Sequence, residues 1–462
     1  MHYDVAIIGA GMSGLAAGIR LAHFGRKVCI FEQHDRVGGL NSYYHRRGLL
    51  IDVGLHAMTN YTGAEVKHAP LNKLLRQLRL RHAELDLVPQ KFSRINFGAH
   101  GCLEFDNQPQ SLLAAVSQHF PHCRNGMLEL VQRIANFDAT ALNLPTALPT
   151  ARQVLCETIA DPLLREMLLC PLMYYGSAQE HDMEFAQFCI MFGSIFQEGF
   201  CRPRGGIKPL LQLLCDRFTA SGGQLCLQTP VRRILTSGSA VSGVELADAS
   251  SVSADKVLSS AGYLETLRLC RSAVPLDATH PSGQLAFTET VFVLDQPAAT
   301  LGFDASIEFF NHGAEFAFRR PKTPIDYASG VLCVPDNFAE PDTAGTMTLR
   351  LTHLADYQPW HELEAAAYKQ SKQQALSEQL ALLEARAPGF RSHVQFTDMF
   401  TPKTISRYTG HCNGAIYGSP QKRRSGTTAL ANLYICGTDQ GFLGITGAML
   451  SGISIANAYL LR

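Results

Sequence analysis

At 462 residues the chain has room for two or three domain-sized units, and an apolar content of 46 % is enough for real cores. Lys plus Arg and Asp plus Glu both come to 40, which excludes an overall basic field for nucleic acid and an acidic tail. The 13 cysteines form no Cys-x-x-Cys pair and keep no regular spacing, so neither a zinc site nor a disulfide framework is expected. They read as buried thiols in a reducing compartment. The start on a core strand, without a basic-then-apolar leader, points to the cytoplasm.

The first forty residues carry the strongest pattern. Val5 to Ile8 is an apolar run of strand type that breaks at Gly9-x-Gly11-x-x-Gly14 and passes into Leu15 to Ala22, with helical spacing and good helix formers. Gly9 permits the tight turn, Gly11 lets the backbone approach a pyrophosphate, and Gly14 lets the helix pack closely on the strand. The N–H groups of the helix start, at Met12 and Ser13, face the anion. A second strand, Lys27 to Phe31, ends at Glu32, 18 residues past Gly14, where a carboxylate meets a ribose hydroxyl. Such an acid serves NAD or the adenosine half of FAD, so this unit alone does not choose the cofactor.

Arg36-Val-Gly38-Gly39-Leu40-Asn41 follows, then a polar and aromatic turn and the strand Gly48-Leu-Leu-Ile-Asp52-Val53-Gly54. His56 lies just beyond. It is a candidate acid or base because imidazole titrates near neutrality, and equally a hydrogen-bonded histidine near the core. From Asn60 to Leu80 the spacing predicts an amphipathic helix, with Leu71, Leu74, Leu75 and Leu78 between Lys73, Arg76, Arg79 and Arg81. Its basic face fits an anionic membrane surface or plain solvent. Residues 85–110 read as short strands, and Ser111 to Tyr175 as helices punctuated by Pro121, Pro145, Pro149 and Pro171. Met167 to Tyr175 and Phe185 to Phe200 are dense in Met, Phe and Cys, a composition that suits an apolar tunnel or a core.

A helix through Leu214 and Phe218, the turn before Val231 and the strand from Lys256 to Gly262 come next. Short strands then alternate with Pro- and Gly-marked turns, and a long helix is expected from Leu363 to Ala387. A strand ends at Gly437, and Gly437-Thr-Asp439-Gln-Gly441-Phe-Leu-Gly444-Ile445-Thr446 opens a helix whose N–H groups can point at anionic oxygen. From Gly441 to Leu461 there are no charges, but four glycines and several hydroxyls favour a buried helix over a membrane span.

Along most of its length the chain resembles the phytoene desaturase, carotenoid isomerase and retinol saturase group of the FAD-dependent amine oxidase superfamily. The resemblance rests on Arg36 to Asn41, Gly48 to Gly54, Thr401-Pro-Lys-Thr404, Gly414-Ala-Ile-Tyr-Gly418 and the Gly437 turn. It implies an α/β fold, a Rossmann-type FAD-binding domain of the two-dinucleotide-binding-domain flavoprotein kind with an inserted α+β substrate domain. The FAD-binding parts are expected at 1–84, 201–262 and 401–462, a helical substrate or lid region at 85–200, and a substrate domain of mixed sheet and helix at 263–400. The resemblance implies FAD along Gly9, Gly11, Met12, Ser13, Gly14, Glu32, Gly38, Gly39, Leu40, Asn41, Val53, Gly54 and His56. It gives Val231 backbone contacts to adenine, Gly437 and Asp439 the ribityl and pyrophosphate, and Gly444, Ile445 and Thr446 the flavin carbonyl.

The implied activity is hydride transfer from an apolar polyene or isoprenoid to flavin, with oxygen or a quinone as electron acceptor and peripheral contact with a membrane. Saturation and isomerisation stay open, because the Gly437 turn departs from the usual desaturase sequence. Three further readings share parts of this pattern: an amine oxidase, a NAD-dependent dehydrogenase, and a non-enzymatic binder of prenylated proteins like the Rab GDP-dissociation inhibitors. The C-terminal turn argues against the second, and the intact phosphate glycines against the third. No metal site is expected, and no Ser-His-Asp, His-Glu-x-x-His or Walker pattern offers a rival chemistry.

Overall fold

The computed structural model describes residues 1–139, 148–270, 279–338 and 347–462. Pro145 lies outside the described residues. The N-terminal apolar run becomes the strand His2–Ile8 in the interior of a seven-stranded sheet. Val28–Phe31 and then Gln224–Cys226 lie parallel on one side of it, and Ser251–Ser259 lies parallel on the other. Leu433–Ile435 joins Ser251–Ser259 in parallel, while Ala240–Leu246 and Val231–Ser237 extend the sheet in antiparallel pairing. Val5 to Ile8 are all buried, as expected of a parallel strand covered on both faces. Helix Met12–His23 makes the crossover to Val28–Phe31 and buries Leu15, Ile19 and Leu21. One dinucleotide-type sheet is thus assembled from three distant stretches of chain.

A second seven-stranded sheet runs in the order Val394–Phe400, Ala286–Leu294, Thr348–Ala355, Ser329–Cys333, Ile307–Asn311, Ser93–Asn96, Cys102–Phe105. Only Ile307–Asn311 with Ser93–Asn96 is a parallel pair. One face packs Phe292, Leu294, Leu349 and Leu351 with Leu383 of the long helix Ala365–Arg386. By the two-residue period, the other face carries Phe287, Glu289, Arg350, Thr352, Leu354, Val331 and Phe309. Its apolar part is covered by the helices Ala151–Thr158, Pro162–Gly176 and Phe185–Phe192. Its charged part faces the first sheet's loops. The chain leaves for this second body and comes back along neighbouring antiparallel strands, Leu87–Pro89 and Phe200–Pro203, with Met58–Thr59 paired on the other side of the latter.

Several expectations change. The basic helix is only Pro70–Leu78, and Leu71, Leu74, Leu75 and Leu78 are sealed in the core of the first body. Each buried leucine is worth about 1.5–3 kcal/mol there, so the apolar face is not a membrane face. Pro171 lies inside Pro162–Gly176 instead of ending a helix. The helix is buried nearly all round, and that packing outweighs the roughly 3 kcal/mol that an interior proline costs. The Met- and Phe-rich stretches are core: Phe188, Phe192, Phe196 and Phe105 touch in series with ring centroids 5.8, 5.1 and 4.9 Å apart. The uncharged C-terminal segment is the helix Gly444–Ile455 followed by a short π-helical turn, and no described helix is long and apolar enough to cross a membrane.

Candidate functional site

The helices Met12–His23 and Gly444–Ile455 both begin at the glycine-rich turns, without a side-chain cap and without an acid in the first turn. The first intrahelical bond of the former runs from the Leu15 N–H to the Gly11 carbonyl, so the N–H groups of Met12, Ser13 and Gly14 have no acceptor within the helix. Gly444, Ile445 and Thr446 stand in the same position in the other helix. The two helices touch where Gly452 meets Ser13: a Cβ on Gly452 would lie 2.0 Å from the Ser13 carbonyl oxygen. The start of the first helix is thus packed against the last turns of the second, whose own start lies about 12 Å further along its axis, and each uncapped start favours an anion by itself.

The glycines divide into two sets by what a side chain would meet. A Cβ on Gly14 would lie 2.1 Å from the Gly9 carbonyl oxygen, on Gly38 2.5 Å from that of Asn41, and on Gly54 2.3 Å from that of Leu40. These three are needed for protein packing. A Cβ on Gly11 meets nothing within 4 Å, one on Gly39 comes no closer than 3.5 Å to the Gly11 Cα, and one on Gly444 no closer than 3.8 Å to Thr59. These three border open space. The Gly38 N–H donates to the Ala10 carbonyl at 2.9 Å, which lays the second glycine pair against the first. Val53 and Gly54 lie on this turn, since the Val53 N–H donates to the Ser42 carbonyl.

Glu32 is buried with its carboxylate at the glycine turn, where it accepts from the N–H groups of Ala10 at 2.8 Å and His34 at 3.0 Å. Val231 starts its strand nearby, because the Thr229 N–H donates to the Glu32 carbonyl. Gly437 is packed near Ser13, and its N–H is taken by Ser451 at 2.6 Å. The Thr446 hydroxyl donates to the Thr59 carbonyl and fixes the helix start to the strand Met58–Thr59. The expected ribityl role of Asp439 is corrected. Its carboxylate accepts from the N–H groups of Tyr263 at 2.6 Å and Ser419 at 2.8 Å and is buried between them. Asp439 clamps three segments together through these bonds.

His56 lies where this groove meets the charged face of the second sheet. Its Nε2 is 3.1 Å from the Thr352 hydroxyl and 3.6 Å from a Glu289 carboxylate oxygen, while its Nδ1 makes no hydrogen bond to a described residue. Glu289 and Thr352 are direct cross-strand partners, so the register aims both at the imidazole. Arg350 donates to Glu289 through Nε at 2.6 Å. Burial works against the Glu289 carboxylate, but the Arg350 guanidinium and His56 overcome it and hold its pKa at about 2. Arg202 supports the same loop from below: it donates to the carbonyls of Leu55 at 2.6 Å and His56 at 2.7 Å, and to Asp52 at 2.7 Å. Tyr175 packs beside His56, ring centroids 6.4 Å apart, and its buried hydroxyl has no hydrogen-bond partner among the described residues.

Asp52, Arg202, Glu289, Arg350, Thr352 and Tyr175 were not singled out from the sequence. The available signal was a lone charge inside an apolar strand, as at Glu289 and Arg350, which is seldom buried without a partner.

Two uncapped helix starts, a buried carboxylate at the glycine turn and a glycine-lined groove that opens onto a second sheet are the features of a dinucleotide-binding flavoprotein with a separate substrate body. The open space at Gly11, Gly39 and Gly444 fits the pyrophosphate and flavin of FAD. The family described as flavin containing amine oxidoreductase matches residues 12–460, and the chain belongs to it. FAD is its cofactor, and the protein is an FAD-dependent oxidoreductase.

The chain is 23 % identical to the all-trans-retinol 13,14-reductase of Danio rerio over 99 % of this chain and 86 % of that protein. It is 21 % identical to the chloroplastic prolycopene isomerase of Daucus carota over 99 % of this chain and 80 % of that protein. In fold it is similar to an oxidoreductase from Methanosarcina mazei, with a TM-score of 0.68 at 16 % identity, over 99 % of this chain and 100 % of the other.

Proposed function

We propose that the protein moves a hydride between FAD and the carbon skeleton of an apolar polyene or isoprenoid. The observation that carries this reading is the junction at His56, where the cofactor groove meets Ala57, Tyr175, Ile416 and Tyr417, apolar side chains left half-buried while the core behind them is sealed. Such a wall suits a ligand without polar groups. Two relatives that span nearly the whole chain are named for a retinol and for prolycopene, which are polyenes.

In this reading Met12, Ser13 and Gly14 hold the pyrophosphate, Glu32 the ribose and Val231 the adenine. The Gly39–Asn41 and Val53–His56 segments would hold the flavin, with Gly444, Ile445 and Thr446 offering their N–H groups to it. When bound, FAD accepts or supplies the hydride. His56 takes or gives the accompanying proton, and the packed second sheet keeps water out. Oxygen or a quinone reoxidises the cofactor after desaturation. Exposed Lys73, Arg76, Arg79 and Arg81 offer a cationic face to a lipid phase that stores the substrate.

A second direction, in which reduced flavin saturates or isomerises the polyene, is favoured by the names of these two relatives. The test is incubation of the FAD-loaded protein with thirty- and forty-carbon polyenes and with retinol in liposomes, once oxidised and once pre-reduced, followed by analysis of the extracted pigments. Gain of conjugation by oxidised protein establishes desaturation, and loss of a double bond or a change of isomer by reduced protein establishes the second direction. No altered pigment in either state refutes both.

A further inference from the structure

Beside the cofactor groove, one set of buried polar groups lies on the charged face of the second sheet. Glu289 and Arg350 come from neighbouring strands, are nearly inaccessible, and pair with each other. A buried pair of this kind is weak evidence for stability, because hydrophobic residues of the same volume do as well or better. Its position relative to His56 gives it another use. A carboxylate that stays ionised can only accept hydrogen bonds, and with Glu289 3.6 Å from Nε2, at ion-pair rather than hydrogen-bond distance, its charge favours a proton on that nitrogen. The Thr352 hydroxyl, on the same side of the ring, accepts from the same N–H or donates elsewhere. Nδ1 then holds the lone pair, and it is the nitrogen with no partner among the described residues.

We propose that Glu289 is a positioning residue that fixes the His56 proton on Nε2 and so makes Nδ1 the atom that exchanges the substrate proton. The inference rests on the reading of His56 as the proton carrier. When a polyene CH–CH unit becomes C=C, one hydrogen leaves with its electron pair as the hydride that FAD accepts. The other leaves as a proton, its bonding pair becoming the new π bond, and adds to the Nδ1 lone pair. The imidazolium so formed faces the Glu289 carboxylate. In saturation the proton passes from Nδ1 to carbon and the imidazole returns to neutral.

Arg350 acts one step further back, keeping Glu289 ionised inside the protein, where burial alone would protonate it. The other ionisable groups close to this set are Asp52 and Cys333 beside Arg350, Arg202, which donates to the His56 carbonyl and to Asp52, and Tyr44, which lies near Glu289 and donates to Asp398. Tyr175 packs on His56. A purely structural ion pair would leave the imidazole tautomer alone, so the tautomer is the quantity that separates the two roles.

The experiment is long-range proton–nitrogen NMR of FAD-loaded protein with labelled histidine, the His56 signals being identified by their loss in His56→Gln. The wild type is expected to show the Nε2-protonated tautomer. Glu289→Gln, and the Glu289→Gln/Arg350→Met double variant that leaves no unpaired guanidinium, are expected to show mixed tautomers. Their kcat on the polyene should fall about tenfold to a hundredfold with KM little changed and the pH profile displaced, and Glu289→Asp should restore part of the loss. A wild-type Nδ1-protonated tautomer, or a tautomer unchanged in both variants, overturns the proposal. Since the NMR signal needs no substrate, a tautomer that responds in a protein inert to polyenes would refute the substrate reading and leave the positioning role standing.

Discussion

Gly11 and Gly14 are both parts of the glycine turn, yet the structure assigns their substitution opposite consequences. Gly11 has φ −69° and ψ 174°, which any residue adopts, and a Cβ there meets nothing within 4 Å. Gly11→Ala should therefore fold normally, with a change of at most about 1 kcal/mol from the altered N-cap. Its methyl, however, stands in the open space before the first-turn N–H groups. Loss of one charge-assisted bond to the pyrophosphate costs about 1.5–3 kcal/mol, so FAD should bind roughly tenfold to a hundredfold more weakly. At Gly14 the added Cβ would sit 2.1 Å from the Gly9 carbonyl oxygen, and backbone has to move about 1 Å to relieve it. Overpacking of this kind costs about 1–3 kcal/mol, so Gly14→Ala should lower the stability of the apoprotein itself. Thermal unfolding without cofactor and FAD titration by flavin fluorescence separate the two quantities. Wild-type FAD affinity in Gly11→Ala, or wild-type apoprotein stability in Gly14→Ala, would refute the division of glycines into ligand-side and packing sets.

Arg202→Met should leave Asp52 buried and unpaired and the Leu55 and His56 carbonyls without a donor, destabilising by about 3–5 kcal/mol in denaturant titrations. Asp439→Asn puts an amide N–H₂ against a backbone N–H. It should cost about 1–3 kcal/mol of stability while weakening FAD binding less than Gly11→Ala does, as measured by the same pair of assays. Burial holds His353 at about 4, so the folded state resists its protonation. Stability should fall by up to ~3 kcal/mol as pH drops from 6.5 to 4, a fall absent in His353→Leu. Glu289, held at about 2 although burial opposes it, stabilises the fold above its ordinary range near 4.5. That contribution, ~3 kcal/mol, should be lost only as pH falls from 4.5 towards 2, and should be missing in the Glu289→Gln/Arg350→Met variant.

The cofactor half of the site was legible because its chemistry is local. The turn at Gly9, Gly11 and Gly14 and the acid at Glu32 lie on one strand–helix–strand unit, where spacing alone sets their geometry. The same holds for the helix start at Gly444 to Thr446, whose glycine-rich entry announces uncapped N–H groups. Asp439 was misplaced because a shift of one residue in a turn decides whether a carboxylate faces the ligand or the neighbouring backbone N–H groups. The Glu289, Arg350 and Thr352 set depends on the register of two strands about sixty residues apart, and that register is fixed by packing across the whole sheet. The surroundings of the basic helix were left open between membrane and solvent for a related reason. An apolar stripe looks the same whether it meets a membrane or, as with Leu71 to Leu78, its own protein.

The most direct test of the account is anaerobic absorbance of the purified FAD-loaded protein during addition of polyene in liposomes. The account predicts that the flavin band changes in proportion to polyene converted: it bleaches as oxidised protein desaturates, or returns as pre-reduced protein saturates. A protein that binds no FAD after reconstitution, or that leaves both its flavin band and the extracted polyene or retinol unchanged in either redox state, would contradict it.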